Sequence, residues 1–204
     1  MKTILKNSPI VPVVVADNVE QGVKIAEALV EGGMVAIEIT LRTPSALSII
    51  AAVAKQFPKL MVGAGTVLNP NQLQEVQKAG AKFAVSPGST PALLKAAKDM
   101  KFPLLPGIAT ASEIMQGIDL GYDCFKLFPA SAVGGVPLLK GFGGPFKEVT
   151  FCPTGGINEN NFLEYLNLDN VVSVGGTWLT PVKSIKDQNW QDIVSLAKAS
   201  LAKL

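Results

Sequence analysis

The chain of 204 residues is predicted to fold as one α/β domain, a (β/α)8 barrel over residues 1–204. Three observations carry that prediction. Apolar runs begin near Ile10, Val35, Met61, Lys82, Phe102, Asp123, Glu148 and Val171, each about 20 to 26 residues after the last, which is room for a strand, a helix and two short loops. The runs are continuous rather than alternating, as parallel strands covered on both faces require. Helical spacing and helix-start chemistry occupy the segments between them. A doubly wound sheet is the structural alternative, because periodicity alone does not prove closure.

In chain order, Met1 to Asn18 bears a weak likeness to a signal peptide, with Lys2 and Lys6 ahead of Ile10 to Ala16. Pro9, Pro12 and the immediate passage into a helical pattern favour a first buried strand instead. Val19, Val23, Ala26 and Val30 then follow helical spacing, and Gly32-Gly33 ends that helix. Thr43-Pro44, Asn69-Pro70 and Thr90-Pro91 each offer a capping side chain followed by proline at the first helical position. Thr110 and Glu113 have capping-box spacing, and Gly121 closes the helix they open. Asn189 caps a last helix whose apolar side carries Trp190, Ile193, Val194, Ala197 and Leu201. No linker, low-complexity stretch or domain boundary interrupts the series.

Composition removes several classes of function. Apolar residues make up 48% and charged residues 17%, so neither disorder nor charge-driven binding is expected. The net charge is +2 without a basic run, which excludes a nucleic-acid surface. No apolar stretch nears the roughly 18 residues that span a bilayer, so no membrane partner is expected and the cytoplasm is the default location. The chain has no histidine, which removes histidine triads, histidine general bases and histidine metal sites. Its two cysteines, Cys124 and Cys152, are too few for a zinc site or a disulfide scaffold and lie in apolar runs. Arg42 is the only arginine, so a planar fork for a carboxylate must come from it.

In a barrel of this kind chemistry sits where strands run into βα loops, and the special residues of this chain gather at those ends. Lys126 interrupts the apolar segment Cys124 to Ala130, and Glu38 interrupts Val35 to Ile39. Alternation points Glu38 away from Ile37 and Ile39, and Lys126 away from Phe125 and Leu127, so both head for the barrel interior. Desolvation disfavours an ammonium, and a neutral amine attacks carbonyl carbon to form a Schiff base while a carboxylate moves protons. A lysine reaching solvent from a strand end, or a structural buried ion pair, is the competing interpretation. Arg42 and Thr66 offer a fork and a hydroxyl for a carboxylate, against an exposed loop arginine and a strand-end cap. Thr154-Gly155-Gly156 and Gly175-Gly176-Thr177 end the last two strands, where bare backbone N–H groups and a hydroxyl suit a phosphate.

The segments Glu38–Thr43, Gly63–Pro70, Ser86–Gly88, Phe125–Ala130, Cys152–Ile157 and Gly175–Trp178 follow one another as in a known family. From about Pro9 to its end the chain resembles the bifunctional 2-keto-3-deoxy-6-phosphogluconate (KDPG) / 4-hydroxy-2-oxoglutarate (KHG) aldolases, class I enzymes of the Entner–Doudoroff route with a TIM-barrel fold. The resemblance implies Lys126 as Schiff-base lysine and Glu38 as general acid/base. It implies Arg42 and Thr66 on the pyruvate carboxylate, Pro87 and Phe128 lining the pocket, and Thr154, Gly155, Gly156, Gly176 and Thr177 on the phosphate. It further implies a homotrimer acting on a small 2-keto acid without metal or cofactor. Three departures stand out: Thr177 where the family often has serine, a less polar Ser131-Ala132-Val133, and a short N-terminal extension that implies a reduced pocket-covering helix. The same chemistry on KHG or on the galactonate epimer, a non-catalytic phosphosugar-binding barrel, and a metal-dependent class II aldolase are the alternatives; the missing histidines disfavour the last.

Overall fold

Parallel pairing of short apolar strands builds the centre of the molecule. The computed structural model describes residues 1–204 and places strands β1 (Ile10–Val14), β2 (Ala36–Thr40), β3 (Met61–Gly65), β4 (Phe83–Val85), β5 (Leu104–Leu105), β6 (Gly107–Ile108), β7 (Cys124–Leu127), β8 (Thr150–Phe151) and β9 (Val174–Gly176). Each predicted run yields a strand. The ninth arises at Pro106, which has no N–H to donate to a ladder and divides the fifth run into β5 and β6. Six strands pair in the order β5-β4-β3-β2-β1-β9 and three in the order β6-β7-β8. Single parallel bridges, Phe151 to Val171 and Thr154 to Gly175, tie the β8 side to the β9 side. The result is one α/β domain with a curled parallel sheet.

Helices α1 (Lys2–Lys6), α2 (Val19–Glu31), α3 (Ala46–Gln56), α4 (Pro70–Lys78), α5 (Pro91–Asp99), α6 (Ala111–Asp119), α7 (Gly135–Gly143), α8 (Phe162–Leu166), α9 (Val182–Lys186) and α10 (Trp190–Leu201) connect or flank the strands. The caps form at Asn69, Thr90 and Asn189, and Thr110 with Glu113 makes a full capping box. Thr43-Pro44 does not start a helix. Thr43 Oγ1 instead donates to Ala16 O at 2.8 Å, and α3 begins later behind Ser45. That bond pins the loop carrying Arg42 to the loop after β1.

Strand alternation sorts the core into two layers. Ile37, Ile39, Phe125 and Leu127 join the large cluster beneath the helices, together with Ile25, Leu29, Ile49 and Val53. Leu5, Val11, Phe83, Val85, Leu105, Cys124 and Cys152 form a second cluster. Leu5 comes from α1, whose Lys2 donates to Glu148 O and pairs with Asp123, just ahead of β8 and β7. Helix α1 therefore closes the N-terminal end of the strands, opposite Lys126. The short N-terminal segment is a plug for the sheet's base and not a remnant of a pocket cover.

Close approach inside the curl requires glycine at one register position. Gly63 pairs with Phe83, and a Cβ built on Gly63 would run into the Phe83 ring. Gly63→Ala is expected to cost about 1–3 kcal/mol through overpacking. Urea titration should show a lower midpoint with an unchanged slope.

Candidate active site

Glu38 and Lys126 are the only charged side chains among the buried residues, at 3% and 4% exposure. Their strands aim them at one another as alternation predicts, with Lys126 Nζ 3.5 Å from Glu38 Oε1. Charge-assisted N–H···O bonds usually lie near about 2.8 Å. Neither side chain makes another hydrogen bond within the protein. The ammonium also lies 5.0 Å from the centroid of the Phe128 ring. A buried pair that serves stability alone needs close contact and satisfied lone pairs, because desolvation otherwise outweighs the attraction. This pair is long and sparsely bonded, which leaves the amine geometrically free to meet a ligand.

The space for Glu38 is carved by its neighbours. Gly65 sits beside it, and any Cβ there would collide with Glu38 Oε1. Gly107 is the register partner of Lys126, and its bare Cα accepts the Pro87 carbonyl group. Thr66 follows Gly65 with φ 61°, a left-handed conformation that a β-branched residue adopts only when its surroundings hold it there. The rim at the ends of β2, β3 and β6 is thus shaped around one carboxylate and one amine.

Above them opens a cavity of about 330 Å³. Arg42, Lys126, Phe128, Thr154, Gly155, Gly156, Gly176 and Thr177 line it, together with Ser131. Arg42 forms no ion pair with a protein carboxylate, so its guanidinium is available to an anion. Gly155 and Gly156 have φ of 98° and 79°, which turns the backbone after β8 in a way that L side chains resist. Thr66, Pro87 and Glu38 do not line this cavity; Glu38 lies behind Lys126, and Pro87 backs onto Gly107. Gly65, Gly107 and Ser131 were not anticipated as site residues. The only sequence signal of the two glycines is position at a strand end, which glycines in ordinary turns share, and Ser131 stood out only within the less polar Ser131-Ala132-Val133.

A curled parallel sheet with a buried amine and carboxylate beneath a glycine-walled cavity places the chain among α/β proteins that carry an ion pair inside the sheet. The family model for "KDPG and KHG aldolase" matches residues 1–196. The KHG/KDPG aldolase of Escherichia coli K12 is 50% identical over 200 residues, 98% of this chain and 94% of that one. The 2-dehydro-3-deoxy-phosphogluconate aldolase of Pseudoalteromonas atlantica is 49% identical over 199 residues, 98% of this chain and 93% of that one. The crystal structure of KDPG aldolase from Legionella pneumophila, with pyruvate captured as a covalent carbinolamine intermediate, superimposes with a TM-score of 0.96 at 47% identity, covering 98% of this chain and 97% of that one. The chain belongs to the KDPG and KHG aldolase family.

Beneath the charged pair, Cys152 follows Phe151, the register partner of Phe125, and so neighbours Lys126 across the β7–β8 pairing. Burial pushes the Cys152 thiol up from an ordinary 9.0 to about 12, and burial likewise raises Cys124. Each folded-state value lies above its unfolded value, and the neutral form is the one the fold favours. The Cys152 contribution to stability is therefore complete below about pH 9 and is lost as pH climbs towards 12, and Cys124 acts in the same direction. Iodoacetamide at pH 8 should leave both thiols intact in the native protein and alkylate both in urea, as read by intact mass.

Proposed function

We propose that this protein is a class I aldolase, a single (β/α)8 TIM-barrel domain over residues 1–204. Its substrate is 2-keto-3-deoxy-6-phosphogluconate, cleaved to pyruvate and glyceraldehyde 3-phosphate. One observation carries the proposal: the chain's two buried charges are an amine at the floor of a cavity and a carboxylate 3.5 Å behind it. The pyruvate carbinolamine captured in the Legionella relative supports the same chemistry here.

In this mechanism the neutral Lys126 amine adds to the C2 carbonyl, and loss of water leaves an iminium. Glu38, as carboxylate, takes the proton of the C4 hydroxyl. The C3–C4 bond breaks, its electron pair moves into the C2 iminium to give an enamine, and the aldehyde departs. Glu38 then returns its proton to C3, and water hydrolyses the iminium to release pyruvate and the free amine. The iminium is the electron sink, so the steps balance without a cofactor or metal. Arg42 holds the C1 carboxylate and Phe128 is an apolar wall, both from the cavity lining; the family resemblance supports Thr66 on the carboxylate and Pro87 beside the pocket, from the rim outside that lining. Thr154, Gly155, Gly156, Gly176 and Thr177 receive the phosphate; their common placement around one cavity, Thr154 to Thr177, supports that role.

A second substrate, 4-hydroxy-2-oxoglutarate, is favoured by the bifunctional name of the Escherichia coli relative. We further propose a homotrimer in the cytoplasm. The family resemblance supports the trimer, and light scattering tests it. Two unpaired, buried cysteines suit a reducing compartment. No helix is long and apolar enough to cross a membrane.

Incubation with pyruvate and borohydride should add the mass of one reduced pyruvate adduct, and peptide mapping should find it on Lys126. An unchanged mass, or an adduct on another lysine, would defeat the proposal. Thr177→Val should lower kcat/KM for the phosphorylated ketoacid by about tenfold, the value of one hydrogen bond to a charged group. Turnover of 4-hydroxy-2-oxoglutarate should change by less than about twofold, since that substrate has no phosphate to lose.

A further inference from the structure

We propose that Ser131 is an additional phosphate ligand that tunes this enzyme towards phosphorylated ketoacids, a role that rests on the aldolase function proposed above. Ser131 follows Ala130 in the loop after β7 and lines the same cavity as Gly176 and Thr177. It is exposed, unlike its neighbour Ala130, which is fully buried.

Its position is set by backbone contacts and not by chance packing. Ala130 N donates to Thr154 O at 2.8 Å, and Ser131 N donates to Gly155 O at 3.0 Å. Asn161 Nδ2 holds Gly156 O from the other side at 3.0 Å. The loops after β7 and β8 are therefore laced together residue by residue, with Ser131 against the glycine pair. A Cβ on Gly156 would strike Ser131 Oγ, and one on Gly155 would lie 3.1 Å from Pro129 Cα. Glycine at 156 thus leaves room for a hydroxyl as well as for an anion approaching the backbone.

That hydroxyl has no hydrogen-bond partner among the protein's side chains or backbone, while Thr154, the other hydroxyl at this end of β8, is buried. A short neutral donor on a fixed backbone, facing a glycine wall, matches a phosphate oxygen better than a carbonyl or an apolar group. Ser131 makes no hydrogen bond to Lys126 or Glu38, which bond only to each other, so its effect belongs in binding and not in bond cleavage.

Two measurements test this. Inorganic phosphate is titrated calorimetrically into the wild-type protein and into Ser131→Ala, and KM and kcat are measured on the phosphorylated ketoacid and on 4-hydroxy-2-oxoglutarate. The expected result is about fivefold to tenfold weaker phosphate binding and a matching rise in KM for the phosphorylated substrate. kcat and the KM for the unphosphorylated substrate stay as they were. Ser131→Asp should extend the loss to about a hundredfold by placing like charges together. Equal phosphate affinity in wild type and Ser131→Ala, or equal losses on both substrates, would overturn the assignment. A failed pyruvate trap in wild type sinks the aldolase function instead, and leaves the phosphate titration to judge Ser131 by itself.

Discussion

An amine and a carboxylate share the interior of a sheet that is otherwise apolar, and most of the local architecture is explained by that one constraint. Removing either charge from water costs several kcal/mol, on the order of what a whole domain has to spare. Mutual attraction at 3.5 Å offsets part of that, and the rest falls on the surrounding core. The strands around the pair are covered by a cluster of 45 buried apolar residues, large enough to carry an unfavourable site. Stability is concentrated where the helices pack, so the interior of the curl can hold groups chosen for chemistry.

The interior itself is graded along the strands. At the N-terminal end Leu5, Val11, Phe83, Cys124 and Cys152 fill the space with apolar volume, and α1 seals it. Two residues past Cys124 on β7 comes Lys126, facing Glu38 of β2, and then come the glycine-rich turns of the rim. Because Cys124 and Lys126 lie on the same face of β7, the apolar plug sits directly below the amine. The plug covers the pair from underneath with apolar side chains, and the cavity opens above Lys126. Phe128 extends the dry wall on the upper side.

Much of this was legible from residues alone, and the reason differs from case to case. Glu38 and Lys126 stood out because a charge inside a continuous apolar run is rare and alternation fixes its direction. The helix starts at Asn69, Thr90 and Thr110 were legible because capping is a local interaction, complete within four residues. Thr43-Pro44 has the same local chemistry, yet its hydroxyl is taken by Ala16 O from another loop, a tertiary contact no local rule contains. Helix α1 was hidden because five residues are too few to show periodicity. Gly65 and Gly107 were hidden because their role lies in what occupies the space beside them, Glu38 and Pro87, each brought there by a different strand.

The two ends of the cavity also divide the energetics of the reaction. In the proposed mechanism Lys126 and Glu38 change bonding during the aldol step, so what they contribute belongs to the transition state and hence to kcat. In the same proposal Gly155, Gly156, Thr177 and Ser131 meet a phosphate that is the same before, during and after cleavage, so their contribution would be uniform binding, read in KM. A family with both phosphorylated and unphosphorylated substrates in its name needs that separation. The chemical end must be indifferent to the far end of the substrate, and the anion end must be adjustable without disturbing the amine. In this fold such a separation has a structural basis: Lys126 stands on a strand inside the sheet, while Ser131, Gly155 and Gly156 lie on loops laced to each other above it.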